Sequence, residues 1–258
     1  MRRTACVRVL ALVSLLSLAF VFPGCSPFGL HVPGLGFYSG SSSYTEYADG
    51  PVSPSGDADT VSVSWISGDV TVRSGTELSV SEEGTAGTYL PLYWRVKDGK
   101  LEIRFVRSGT DNADIDNLSK KLVITVPESV RTVTLDLVSG TYSVEADDLD
   151  LLDVDAVSAN GDVRLGSVGK IKCDTVSGSL FAEVRDTSRT EELDMDSVSG
   201  NAEFSLGTQK GCRADFDTVS GKFDSTLPEP DSDDAPAFRA DMDSVSGNLT
   251  IHEYEPAA

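Results

Sequence analysis

The chain has 258 residues, and 41 Asp and Glu against 21 Lys and Arg give it a net charge of −20. A surface of that sign repels phosphates and anionic headgroups, which excludes nucleic acid as a partner and any membrane association beyond a covalent anchor. Apolar residues at 40% are enough for a core, and the length allows one large all-β domain or two small ones.

Residues 1–24 read as an export signal. Arg2, Arg3 and Arg8 form a basic start, and the apolar run 9–22 is shorter than the roughly 18–20 residues of a spanning helix. Phe22-Pro23-Gly24-Cys25 resembles a bacterial lipobox; Gly24 and Cys25 fit it, and Phe22 and Pro23 depart from it. Cys25 is therefore the lipidation candidate, and an ordinary cleaved signal that happens to carry a cysteine is the alternative. Residues 25–56, rich in Gly, Pro and Ser, predict a flexible tether with an r.m.s. span of about 30 Å. The expected address is the outer side of the cytoplasmic membrane or the envelope, with a lipid as the only membrane contact.

Residues 57–127 predict a less regular N-terminal β cap. Val61 and Val63, then Val70 and Val72, alternate around Ile66-Ser67-Gly68. Leu92 to Phe105 reads as a hairpin about Lys97-Asp98-Gly99-Lys100, and Leu122 to Val126 as a strand ended by Pro127. The aromatic residues Trp65, Tyr89, Tyr93 and Trp94 read as cap packing.

Residues 128–258 carry a repeat and form one continuous domain with 57–127. Val-Ser-Gly recurs at Ser139-Gly140, Ser177-Gly178, Ser199-Gly200, Ser220-Gly221 and Ser246-Gly247, and Val157-Ser158-Ala159 is a copy without its glycine. The serines are spaced by 19, 19, 22, 21 and 26 residues. A period near 20 predicts an all-β fold, a single-chain β-solenoid of stacked coils. Four residues before each serine stand Leu135, Val154, Cys173, Met195, Phe216 and Met242. Six before stand Val133, Leu152, Ile171, Leu193, Ala214 and Ala240. That is the period-2 alternation of a strand with one buried face. Apolar residues resume three and five after the serine, an odd step that implies a corner just before Val-Ser-Gly. The glycine lets the backbone turn tightly there.

Coils stacked in sequence order set two further expectations. Cys173 and Cys212 fall two coils apart, about 9.6 Å, beyond the roughly 7 Å that a disulfide spans. Asp196 and Asp217 fall side by side.

Three residues before each serine stands an aspartate: Asp136, Asp155, Asp174, Asp196, Asp217 and Asp243. Asp153, Asp194, Asp215 and Asp241 add a second outward column. Three chemistries suit such columns. Corner carboxylates accept backbone N–H groups as in Asx-turns. Rows of carboxylates suit Ca²⁺. Carboxylates about 5 Å apart suit glycoside hydrolysis. The first is preferred: the core can carry a repulsion of roughly 0.9 kcal/mol per neighbouring pair without metal, and every coil repeats the aspartate, so nothing marks one pair as catalytic. No cofactor and no metal are expected. The only histidines, His31 and His252, lie in the tether and near the end, so no base stands beside a marker serine.

The Asp-x-Val-Ser-Gly repeat, with apolar alternation on both sides from Asp136 to Ile251, resembles the putative adhesin family of bacterial β-strand-repeat domains of unknown function. Ile66-Ser67-Gly68-Asp69-Val70-Thr71-Val72, Asp98-Gly99-Lys100-Leu101-Glu102-Ile103 and Leu122 to Pro127 fit it as well. The resemblance implies the fold and brings no catalytic or binding residues. The function expected is a non-catalytic cell-envelope binding or adhesion scaffold whose partner is a protein or glycan at the cell surface. The alternative is an accessory or sensory lipoprotein of an envelope-stress system, acting through a membrane protein.

Overall fold

The computed structural model describes residues 45–46, 53–54, 57–83, 90–106, 118–227, 230 and 236–255. The signal, Cys25, His31, Tyr89 and most of the tether lie outside them. The described residues hold fourteen strands and no helix, joined in one open sheet. The N-terminal strands are β1 (Thr45–Glu46), β2 (Thr60–Ser74), β3 (Ser79–Glu83), β4 (Tyr93–Lys97), β5 (Lys100–Arg104) and β6 (Lys120–Val126). Then follow β7 (Thr132–Ser177), β8 (Leu180–Asp186), β9 (Glu192–Ser199) and β10 (Ala202–Leu206). The last four are β11 (Gly211–Ser220), β12 (Phe223–Ser225), β13 (Ala237–Ser246) and β14 (Leu249–Glu253).

At 46 residues, β7 drawn straight would run roughly 150 Å. It turns back beside itself instead. The Arg131 carbonyl accepts the N–H of Asp150 at 2.7 Å, and the Arg131 N–H donates to the Asp59 carbonyl at 2.7 Å. Each return lays the chain parallel to another pass. Val61, Val63, Val70 and Val72 pair with Val133, Leu135, Tyr142 and Val144. Ser67 pairs with Ser139, Ser177 with Ser199, Ser199 with Ser246, and Ser246 with Ser220. Pairing skips the residue before each of these serines, Ile66 against Val138 and Val176 against Val198. The phase shift read from the sequence is therefore a corner at that residue.

The glycine after the corner has two physical reasons. Gly140 takes a φ of +128°, which costs a side chain about 1 kcal/mol or more. At Gly247 the reason is close approach: a Cβ there would lie 1.8 Å from the Gly200 carbonyl oxygen. Ala159 fills the same corner with its side chain buried.

The order of passes departs from the sequence at both ends. β2 lies between β5 and β6 on one side and β7 on the other. β13 and β14 lie between β9 and β10 on one side and β11 and β12 on the other. Among the parallel strands, β2 and the pair β13 and β14 are thus each one layer in from an end. This corrects the expectation of sequential stacking. Cys173 follows the row Cys173–Met195–Met242–Phe216, which puts its pass three steps from that of Cys212. Asp196 is beside Asp243, and Asp217 lies on the far side of Asp243.

The core runs across the parallel strands. The columns at Leu135, Val154, Cys173, Met195 and Met242 are buried, as are those at Val133, Leu152, Ile171, Leu193 and Ala240. Each fully buried Val, Leu or Phe contributes about 1.5–3 kcal/mol. The predicted hairpin is present as β4 and β5, with Asp98 and Gly99 at φ 52° and 76° in its turn. Antiparallel β4 and β3 cover β5 and β6, and β1 adds to β4.

Candidate functional site

The first-strand outer face carries the two aspartate columns. Its spatial order is Asp136, Asp155, Asp174, Asp196, Asp243 and Asp217 in one row. The second row interleaves Lys172 with Asp194, Asp241 and Asp215. In-register pairing sets like charges about 4.8 Å apart, which costs roughly 0.9 kcal/mol per pair in water. Except for exposed Asp217 and Asp215, the rows are half-buried rather than open to water. Burial pushes Asp155 up to about 6, and Asp174 and Asp153 add to it. Burial pushes Asp196 up to about 6, with Asp194 and Asp174 next in effect. Asp241 also rises to about 6, mainly by burial, with Arg239 opposing. Asp136 and Asp194 rise for the same first reason.

Neutral and cationic neighbours relieve part of this. Ser64 donates to Asp136 at 3.4 Å, Lys172 donates to Asp174, and Arg239 donates to Asp241. The preferred reading had backbone N–H groups capping these aspartates. Among the described residues, backbone donors at the corner go to carbonyls of the neighbouring pass, as from Gly178 to Ser199 and from Gly200 to Ser246, and to asparagines two residues after the marker position. Asn160 Oδ1 accepts the Ser179 N–H at 3.0 Å, Asn201 Oδ1 the Asn248 N–H at 3.0 Å, and Asn248 Oδ1 the Lys222 N–H at 2.9 Å. Asparagine recurs in that aligned column, a signal the sequence reading passed over. The carboxylates form rows, and among the described residues no three His, Cys, Asp or Glu side chains converge as a metal-ligand set.

The corners themselves line a furrow. Ser177, Ser199, Ser246 and Ser220 stand in a row, with their glycines and the asparagines 160, 201 and 248 beside them, around an open volume of about 590 Å³. Its lining is neutral except for Lys222. His252 lies 4.0 Å from Glu203 rather than on a marker serine, and Ser139 donates to the Ile66 carbonyl at 3.2 Å.

Cys173 and Cys212 are buried and free. Burial pushes both thiols up to about 12, which keeps them protonated. The Tyr142 hydroxyl is 3.7 Å from Cys173 Sγ.

No family model and no curated protein matches the chain. Among solved structures it is similar to a putative cell adhesion protein from Clostridium sporogenes, with a TM-score of 0.52 and 13% identity over 81% of this chain and 99% of that one. At that identity the likeness is one of fold alone. A putative adhesin from Bacteroides fragilis matches at TM-score 0.44, with 12% identity over 81% of this chain and 98% of its own. A putative lipid binding protein from Parabacteroides distasonis matches at 0.32, with 12% identity over 84% and 98%. These two likenesses carry no argument.

Proposed function

We propose that the chain is a non-catalytic binding or adhesion scaffold of the cell envelope, wound as a β-solenoid of coils near 20 residues and held by a lipid on Cys25. The observation that carries this reading is the Ser-Gly-Asn furrow. Parallel register repeats the serine every 4.8 Å or so, with Asn160, Ser179, Asn201 and Asn248 beside it and Lys222 in the last pass, a surface suited to a ligand that itself repeats, such as a surface glycan. Side-chain amides and hydroxyls can fix such a ligand without chemistry on it. The Clostridium sporogenes protein lends the adhesion reading support by analogy of fold.

The test is binding of the full chain to surfaces coated with neutral polysaccharides, with Asn201→Ala/Asn248→Ala as the comparison. Loss of affinity by about tenfold is the expected outcome. Retention of a membrane protein from intact cells, with no polysaccharide bound, would point to the accessory role instead. For the anchor, Cys25→Ala is expected to leave the detergent phase, and unchanged membrane association would contradict the lipid.

A further inference from the structure

The two ends of the stack are finished differently. β5 and β6 are covered by antiparallel β4 and β3, whereas β11 and β12 at the other end pair on one side only, with β13 and β14, among the described residues. The side chains of this last pass belong to columns that are buried elsewhere. Phe216 aligns with Met242 and Phe223 with Leu249, both buried, yet Phe223 is 45% exposed, and Val219, whose counterparts in the other passes are half-buried, is 73% exposed. Ala214, paired with fully buried Ala240, is exposed as well. An edge strand of this length with apolar side chains at inward positions is a template for another strand.

We propose that this edge pairs with the same edge of a second copy of the chain, head to head about a two-fold axis. The sequence of β11 is self-complementary when read antiparallel about Asp215. Ala214 then stands opposite the second copy's Phe216, small against large on the inward face. Arg213 stands opposite its Asp217, cation against anion on the outer face. Directly opposed pairs of these kinds contribute roughly 0.2–1 kcal/mol each. The one like-charge pair, Asp215 on Asp215 at the axis, has Arg239 at 3.7 Å from each carboxylate. A two-fold pairing closes on itself and gives a dimer rather than a filament. This inference goes beyond the scaffold reading and stands whether or not the furrow binds glycan.

Sedimentation velocity of the full chain carrying Cys25→Ser, at up to about 100 µM, tests it. The expected result is a species of twice 27.4 kDa. Ala214→Lys puts an inward charge on the edge and is expected to weaken the dimer at least tenfold, with the melting temperature unchanged because the site is exposed. Asp217→Lys is expected to weaken it too, and Arg213→Glu added to Asp217→Lys to restore it. A monomer throughout, a dimer indifferent to Ala214→Lys, or open-ended polymers would each overturn the proposal. Polymers would mean that the edge meets a different surface. Loss of polysaccharide binding with the dimer intact, or the reverse, separates this edge from the furrow.

Discussion

The covered end of the sheet is a built plug, and the other end is a cut face. At the covered end Trp65 meets Phe105 edge to face at 4.8 Å, and the Lys120 ammonium sits 4.7 Å from the Phe105 ring centre. That ammonium donates to the Phe105 carbonyl at 2.7 Å and stands 3.3 Å from Glu82. Burial lowers the Lys120 pKa, and Glu82 holds it partly back. At the cut end Phe216 and Phe223 lie 6.1 Å apart and share their faces with solvent. Yet the two ends obey one rule: β2 at one end, and β13 with β14 at the other, are clamped between parallel neighbours on both sides. The outermost parallel layer at each end, β5 with β6 and β11 with β12, is a segment joined to the chain on both sides. Fraying from a terminus then has to break two parallel interfaces rather than one.

The largest expected effect is at the plug. Lys120→Ala leaves Glu82 buried without its ammonium, and denaturant titration should show a loss of about 3–5 kcal/mol. A loss below about 1 kcal/mol would mean that the covered end does not depend on this pair.

The next sharpens the difference between inner and outer layers. Gly247→Ala and Gly221→Ala each place a Cβ 1.8 Å from a carbonyl oxygen, that of Gly200 and that of Gly247. Gly247 is held between two passes, so its variant should lose about 1–3 kcal/mol or more. Gly221 lies in the outermost pass, which can shift away, and its variant should lose distinctly less. Equal losses would remove the distinction.

The acidic rows give a pH signature of unusual sign. Asp155, Asp196 and Asp241 have folded pKa values of about 6 against 3.8. The folded state therefore binds more protons than the unfolded chain between about pH 4 and pH 6, and stability falls as pH rises through that window. Partial exposure screens the effect. The melting temperature should rise as pH is lowered from 7 to 5, and Asp155→Asn/Asp196→Asn should flatten the profile while raising the value at pH 7. A parent that loses stability from pH 7 to 5 would contradict the burial of these rows. The smallest effect is at the cut face, where Val219→Ser should change stability by no more than about 0.5 kcal/mol.

Much of the fold was legible because its period is short and its faces alternate. The apolar columns at Leu135 and Val133, the hairpin turn at Asp98-Gly99 and the corner before Val-Ser-Gly follow from residue type and spacing alone. The order of layers did not follow. Nothing in the spacing of 26 before Ser246 says that β13 pairs with both β9 and β11. The site was partly legible. The aspartate rows were visible as a column, but their half-burial depends on neighbouring layers. The asparagines at 160, 201 and 248 take the corner hydrogen bonds because their amides reach the next pass, a relation between passes that one aligned column does not reveal.

The exchanged order at the C-terminal end is the most direct test of this account. Two double-cysteine variants, made with Cys173 and Cys212 replaced by serine, distinguish the two orders. Asp196→Cys/Asp243→Cys joins register partners, whose separation of about 4.8 Å suits a disulfide. Asp196→Cys/Asp217→Cys joins positions two layers apart, at roughly 9.6 Å. Under mild oxidation the first pair should form an intramolecular bond, read by mass and by mobility, and the second should remain as thiols. Bonding of 196 to 217 and not to 243 would show that the passes stack in sequence order and would contradict the account.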